Sequence, residues 1–176
     1  GSSKVSIAAA SFSIYAYEAL KEELETIDEL RFIFTSPTFH KERASKEKRE
    51  FFIPKLNRER SLFGSDFEVK LRNQLSQKAI ARECADWIRR KACFKTNISS
   101  GIIDCVMSVA NEDNKYTYTP ISDFTTTELG CERGNNMCPT KMRISSPYAD
   151  KYLRDFNELW NNAESFKNVT ETIIDN

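Results

Sequence analysis

Residues 67–91 read FEVKLRNQLSQKAIARECADWIRRK, and this stretch organises the rest of the chain. It contains no glycine or proline and is rich in residues that favour helices. Two apolar stripes recur at four-residue spacing, namely Phe67, Leu71 and Leu75, then Ile80, Cys84 and Ile88 with Trp87 beside them. Because a helix turns by about 100° per residue, the two stripes lie on different faces. The pattern therefore predicts a helix that breaks near Ser76, with Ser76 as the N-cap of the second segment.

Short apolar segments on both sides of this helix indicate strands. Val5 to Phe12 is typical of a buried strand, Ile14 to Ile27 of a helix capped by Ser13, and Glu29 to Phe34 of a second strand. Strand, helix and strand in about 30 residues form a βαβ unit. Because sites collect where the strands of such sheets end, four polar residues fall near any pocket: Ser11, Ser13, Thr35 and Ser36. Turn and cap residues are the alternative interpretation.

The second half of the chain predicts a strand, a hairpin and two helices. Residues 92–98 read as a strand, and residues 102–109 and 116–121 as a hairpin joined by Asn-Glu-Asp-Asn. Pro120 indicates that the second hairpin strand lies at an edge or ends there. Residues 131–142 are irregular, Ser146 and Pro147 begin a helix, and residues 168–174 form a last short helix.

Composition indicates one α/β domain, residues 1–176, with a mixed β-sheet flanked by helices. The chain is 40% hydrophobic and 30% charged, and its net charge is zero, so polyanion binding requires a local patch. No apolar run is long enough for a membrane span, and Gly1 to Ser3 is typical of a cloning scar. Five cysteines without a C-x-x-C pair, and no signal peptide, predict reduced thiols and a cytoplasmic location.

The sequence also excludes several classes of enzyme and ligand. His40 is the single histidine, so we expect no metal site. Neither G-x-x-x-x-G-K-[ST] nor G-x-G-x-x-G occurs, and we expect no cofactor and no nucleotide-hydrolysing motor in this chain. Nothing resembles a nucleophile elbow.

A basic segment follows the second predicted strand. Between residues 41 and 60, eight basic residues stand against four acidic ones, with phenylalanines interleaved. Such a long basic excursion is uncommon without a use and is suited to phosphate contacts. The predicted nucleic-acid-binding residues are Lys41, Arg43, Lys46, Lys48, Arg49, Lys55, Arg58 and Arg60. A solvated loop is the alternative.

Several stretches together carry a resemblance to a known family. In order they are VSIAAASFSIYAYEALKEELETIDELRFIF, QKAIARECADWIRRK, the loop Ser122-Asp123-Phe124-Thr125 with Leu129-Gly130, LRDFNELWNN and NVTETII. From Val5 to Ile174 the chain resembles the N-terminal phospholipase D-like domain of bacterial superfamily II (DEAD/DEAH-type, Snf-related) helicases. The resemblance rests on order and spacing. It implies an α/β sheet flanked by helices and a helicase motor downstream, outside this chain.

The resemblance also implies a site whose chemistry this chain has lost. Enzymes of the phospholipase D type attack a phosphodiester with the histidine of a His-x-Lys pair, which would fall around residues 99–102, where neither residue occurs. Ser122 matches the family's phosphate-binding serine, but Asp123 replaces the usual asparagine and would repel a phosphate. We therefore expect no catalytic residue and a degenerate pocket of Ser11, Ser100, Ser122, Asp123 and Thr125.

Three functions remain open. The first is a non-catalytic accessory domain of a helicase that contacts DNA through the basic segment, assisted by Arg82, Arg89, Arg90 and Lys91. The second is a nuclease in which a homodimer supplies the missing groups, which the missing His-x-Lys pair argues against. The third is an interaction module that docks on the helicase motor through residues 145–176, where six acidic residues stand against three basic ones.

Overall fold

The computed structural model describes residues 2–36, 66–133 and 140–175, and it gives only the backbone for residues 66–76. The eight basic residues predicted to bind nucleic acid, together with His40 and Cys138, lie outside these ranges.

One mixed sheet organises the described residues. Its seven strands have the order β6-β5-β4-β1-β2-β3-β7. β1, β2 and β3 are parallel, and all other pairings are antiparallel. The elements are β1 Lys4–Ala9, α1 Ile14–Ala19, α2 Lys21–Thr26, β2 Glu29–Phe34, α3 Asp66–Lys91, β3 Ala92–Asn97, β4 Val106–Ala110, β5 Lys115–Thr119, β6 Met142–Ser145, α4 Tyr148–Trp160, β7 Phe166–Asn168 and α5 Thr170–Ile174. The predicted α/β class with a mixed sheet flanked by helices is confirmed.

The opening βαβ unit has the predicted order of elements, although β1 ends at Ala9 and not at Phe12. β1 and β2 pair in parallel, and β2 has the predicted bounds. Ser13 is the N-cap of α1, because its Oγ accepts a hydrogen bond from the backbone N–H of Tyr15 at 3.2 Å. The predicted helix is divided at Leu20, which ends α1 and begins α2.

α3 is one continuous helix, so the predicted break at Ser76 is wrong. A change in which face of the helix is apolar does not by itself break any backbone hydrogen bond. Without glycine or proline, each residue that continues the helix adds a hydrogen bond, whereas a break would require a new nucleation. The second apolar stripe does cover the sheet, since Cys84, Trp87 and Ile88 are buried. Trp87 also donates its indole N–H to the carbonyl of Leu24 at 3.2 Å.

Two hydrophobic clusters lie on opposite faces of the sheet. The larger joins β1, β2 and β3 to α1, α2 and α3, and its aromatic centre is Phe12, Phe32, Phe34, Phe94 and Phe124. The smaller joins Ala8 and Ile33 to Phe156 of α4. The Arg31 guanidinium lies 5.1 Å from the Phe156 ring centroid and completes this contact. Helices therefore cover β1 and β2 on both faces.

The second half contains two strands that the sequence pattern did not indicate. β4 and β5 form the predicted hairpin, although β4 begins only at Val106. β5 ends before Pro120 but is flanked by β6, so of the two alternatives for Pro120 the strand end is confirmed. β6 and β7 are short and were predicted as irregular or helical. Pro147, rather than Ser146, is the N-cap of α4.

Candidate functional site

The predicted pocket lies at the edge of the sheet where β1, β2 and β3 end, which we call the carboxyl edge. Residues 10–13 continue beyond β1 and run parallel to residues 122–124. Three backbone hydrogen bonds join them: Ala10 N–H to Ser122 O at 2.8 Å, Phe124 N–H to Ser11 O at 2.9 Å, and Ser13 N–H to Phe124 O at 2.9 Å. The loop that carries the family-like residues is therefore fixed to the end of the central strand.

Ser11 and Asp123 meet at this edge. The Ser11 hydroxyl donates a hydrogen bond to Asp123 Oδ1 at 2.7 Å. Beneath them the rings of Phe12 and Phe124 stack with their centroids 5.1 Å apart and anchor both segments in the larger cluster. Two of the predicted pocket residues are thus in direct contact, although 112 positions separate them in the chain.

Ser122 and Thr125 shape the turn that follows. The Ser122 N–H donates to Glu128 Oε1 at 3.3 Å, and Thr125 Oγ1 accepts from the Glu128 N–H at 3.3 Å. Lys141 lies 2.6 Å from the same Glu128 oxygen, and this hydrogen bond is the main reason that the pKa of Glu128 is lowered. Both predicted residues therefore act in a local turn that Glu128 and Lys141 close.

Ser100 stands apart from the other four pocket residues. It is exposed, and within the described chain no hydrogen bond links it to Ser11 or Asp123. Its turn is held by Asn97, whose Nδ2 donates to Thr35 O at 3.1 Å and to Gly101 O at 2.9 Å. Asn97 is buried, and the sequence analysis missed it because an asparagine at a strand end gives no signal beyond turn formation.

The position expected for a His-x-Lys pair carries an exposed apolar residue. Ile102 is 99% exposed and follows this turn directly. Cys105, three residues later, lies where β4 begins, and the sequence analysis missed it too. Burial raises the pKa of the Cys105 thiol, the Asp123, Asp104 and Glu128 carboxylates raise it further, and a hydrogen bond with Thr35 opposes them. Its thiol is therefore unsuited to nucleophilic attack.

Among the residues that the structure describes, the carboxyl edge shows none of the groups that phosphodiester cleavage requires. The chain's single histidine, His40, lies outside the described ranges. Among described residues no three histidine, cysteine or acidic side chains are placed to hold a metal ion. The Asp123 carboxylate, where the resemblance predicts an amide, accepts the hydrogen bond of the Ser11 hydroxyl. These described residues can hold a loop in place but include no activated nucleophile.

Three basic residues at the end of α3 serve the fold. Arg90 donates to both carboxylate oxygens of Glu25, at 2.7 and 3.2 Å, and thereby lowers the pKa of Glu25. Lys91 donates to the carbonyls of Glu25 and Ile27 at 2.5 and 2.8 Å, and Arg89 pairs with Asp86. These residues tie α3 to α2 or to its own turn, so they are poor candidates for the phosphate contacts that the sequence analysis gave them.

No protein-family model matches this chain, and no curated protein matches it significantly. Within the described residues, every helix is too short or too polar to cross a bilayer.

Proposed function

We propose that this chain is a non-catalytic phospholipase D-like domain that serves a bacterial helicase as a DNA-contacting accessory domain. The observation that carries the proposal is the contact between Ser11 and Asp123 at the carboxyl edge. The resemblance implies a phosphate-binding loop at Ser122 and Asp123, and these residues lie beside the end of β1. This geometry supports the interpretation that residues 122–125, which we call the site loop, are retained from the family's loop, while the Asp123 carboxylate opposes catalysis.

The proposed DNA contact comes from the basic segment. That segment begins at Lys41, five positions after Ser36, and Thr35 and Ser36 follow β2 at the carboxyl edge. Cations attached to this edge would bring phosphates close to the site loop, and their affinity would depend on salt. The helicase motor of the same polypeptide and a cytoplasmic location belong to this proposal through the resemblance.

DNA binding and cleavage are tested together. Fluorescence anisotropy with labelled single- and double-stranded DNA, from about 50 to 200 mM salt, should show salt-sensitive binding, and gels of the same mixtures should show intact DNA. Charge reversal of Lys46, Lys48 and Arg49 to glutamate should weaken binding and flatten its salt dependence. Reversal of exposed Arg154 and Lys167 is the matched control and should leave both nearly unchanged.

The site loop has its own test. Asp123→Asn removes the carboxylate and restores the residue type usual in the family, so DNA binding should tighten about two- to fivefold, since one repulsive charge is worth about 1 kcal/mol or less near a surface. The gels should still show no cleavage. Cleaved DNA with the wild-type chain would overturn the non-catalytic proposal.

A surface groove favours the protein-interaction alternative. The groove lies between the edge strand β6 and the start of α4, and it is lined by Ile144, Pro147, Tyr148, Lys151 and Tyr152. Tyr148 is 75% exposed, which is unusual for a large aromatic residue on the free protein. A domain that binds the helicase motor and no DNA would establish this alternative.

A further inference from the structure

The face of β5 and β6 that points away from α4 carries two tyrosines and an arginine. Tyr116 and Tyr118 are two positions apart on β5, so they project from the same face of the sheet. Arg143 on β6 is paired with Tyr118, and it therefore shares that face. Thr117, between the tyrosines, is fully buried on the opposite face, where α4 packs.

The described residues cover this face of β5 and β6 only partly. Both tyrosine side chains are half-buried, and neither packs into the two hydrophobic clusters. The helices on their side, α1, α2, α3 and α5, pack over the parallel strands, and no helix in the described ranges covers β5 or β6 there. Two partly exposed tyrosine side chains thus share one surface of the described sheet.

Arg143 gives this surface a positive charge. Its guanidinium lies 5.2 Å from the centroid of the Tyr116 ring, and it makes no ion pair with any described carboxylate. Of the acidic residues near these side chains in sequence, Glu112 and Asp113 belong to the hairpin turn beyond Tyr116, and Asp123 lies at the carboxyl edge beyond Tyr118. A bound anion would therefore avoid both ends of β5 and lie over Arg143.

We infer that Tyr116, Tyr118 and Arg143 form a stacking platform for single-stranded nucleic acid. Every base has a π face that can stack on tyrosine, and a guanidinium that already lies on a ring can contact the adjacent phosphate. Charge and ring geometry together favour this ligand over an apolar or acidic protein surface. A duplex hides its base faces, so the platform should distinguish single from double strands. The inference rests on the proposed nucleic-acid function.

The test removes the rings while it keeps the strand. The double variant Tyr116→Thr/Tyr118→Thr retains residues that favour β-strands. Its affinity for a labelled 20-nucleotide oligo-dT should fall at least about tenfold, because each stacked base contributes about fivefold or more and two rings are removed. Binding of a 20-base-pair duplex should change less than about twofold. Tyr148→Thr, at an exposed tyrosine on α4, is the matched control and should bind oligo-dT like the wild type.

Two further variants separate stacking from a loss of structure. Tyr116→Phe/Tyr118→Phe keeps both rings and should bind oligo-dT within about twofold of the wild type. Arg143→Ala should weaken oligo-dT binding and lower its salt dependence by about one phosphate contact. The substituted residues are all at least partly exposed, namely Tyr116, Tyr118, Arg143 and Tyr148. We therefore expect the circular dichroism spectrum and the thermal unfolding of each variant to be close to those of the wild type.

The outcomes distinguish this inference from the proposed function. If the threonine variant binds oligo-dT as the wild type does, the platform is wrong and the accessory-domain proposal stands. If the wild type binds neither single nor double strands, both are wrong. Equal losses for oligo-dT and duplex would also overturn the platform, because base stacking cannot weaken contact with a closed duplex.

Discussion

The two halves of the sheet are built in different ways. In the parallel half, β1 to β3, the strand interiors are apolar, and helices cover both faces of β1 and β2. In the antiparallel half, β4 to β6, only α4 packs as a helix on the described strands. Under α4 the hydroxyls of Ser108 and Thr117 are hydrogen-bonded to each other at 2.8 Å. On the other face Tyr116 and Tyr118 are partly exposed.

This difference indicates where stability and binding reside. Parallel strands that are buried on both faces form the cooperative core, whereas a strand pair covered on one face leaves side chains free for a ligand. The strand that anchors the site loop, β1, lies where the halves meet, since it pairs with β2 on one side and with β4 on the other. The site loop is therefore supported by a strand of the stable half.

The sharpest test of the comparison is a large deletion in the parallel half. Trp87 is fully buried, and its ring centroid lies 5.4 Å from that of Tyr17. Trp87→Ala should lower the free energy of unfolding by about 3–5 kcal/mol through lost burial and a cavity. Urea denaturation followed by circular dichroism measures it, with Tyr148→Ala expected within about 0.5 kcal/mol of wild type. A change at Trp87 below about 1 kcal/mol would contradict this division of the sheet.

Thiol labelling compares the halves without a mutation. Burial raises the pKa of Cys84 to about 12, whereas Cys131 is exposed. Because the thiolate is the reactive species, iodoacetamide at about pH 8 should modify Cys131 at least about a hundredfold faster than Cys84. Mass spectrometry of timed samples measures the two rates, and in denaturant they should converge. Similar rates in the native protein would mean that the core opens readily.

The hydrogen-bonded hydroxyls of Ser108 and Thr117 under α4 give a smaller expected change in stability, which a second substitution should reverse. Ser108→Ala leaves the buried Thr117 hydroxyl without its partner and should cost about 1–3 kcal/mol of unfolding free energy. The double variant Ser108→Ala/Thr117→Val removes both polar groups and should recover most of that loss. Urea denaturation of the single and double variants decides it. A double variant less stable than the single one would show that other contacts dominate there.

The smallest expected effect concerns the pH dependence of stability at the turn that Glu128 and Lys141 close. The pKa of Glu128 in the folded protein lies below its ordinary value of 4.5, chiefly because of Lys141. The resulting stability is present above that ordinary value and is lost as the pH falls through the lowered pKa. Glu128→Gln should therefore flatten the acid side of the stability–pH profile slightly. Glu164→Gln, at an exposed glutamate, should leave the profile unchanged.

Much of the parallel half could be predicted from the sequence. β2 is a compact apolar run, β3 follows the organising helix directly, and the Ser13 cap precedes a clear helical stripe, so local pattern and tertiary structure agree. The continuous helix through Ser76 shows the limit of this reasoning. An apolar stripe reports which face is buried, and a change of stripe does not require a change of backbone.

The short strands and the site contacts could not be predicted in the same way. β6 and β7 have four and three residues, too few for a periodic pattern, and each exists because a longer strand offers it a free edge. Ser11 and Asp123 were both predicted at the pocket, but their contact depends on the parallel pairing of residues 10–13 with residues 122–124. Asn97 and Cys105 gave no signal because their role comes entirely from their neighbours.

The pairing between residues 10–13 and residues 122–124 has a consequence for the order in which the protein is made. A ribosome releases the first β-strand more than a hundred residues before the loop that extends it, and the strand that covers the outer edge of β3 comes later still. Until then the nascent sheet has unpaired edges on both sides. Residues near the start of the chain therefore acquire these partners only after more than a hundred further residues have been made, and the candidate site is among the last parts of the described fold to form.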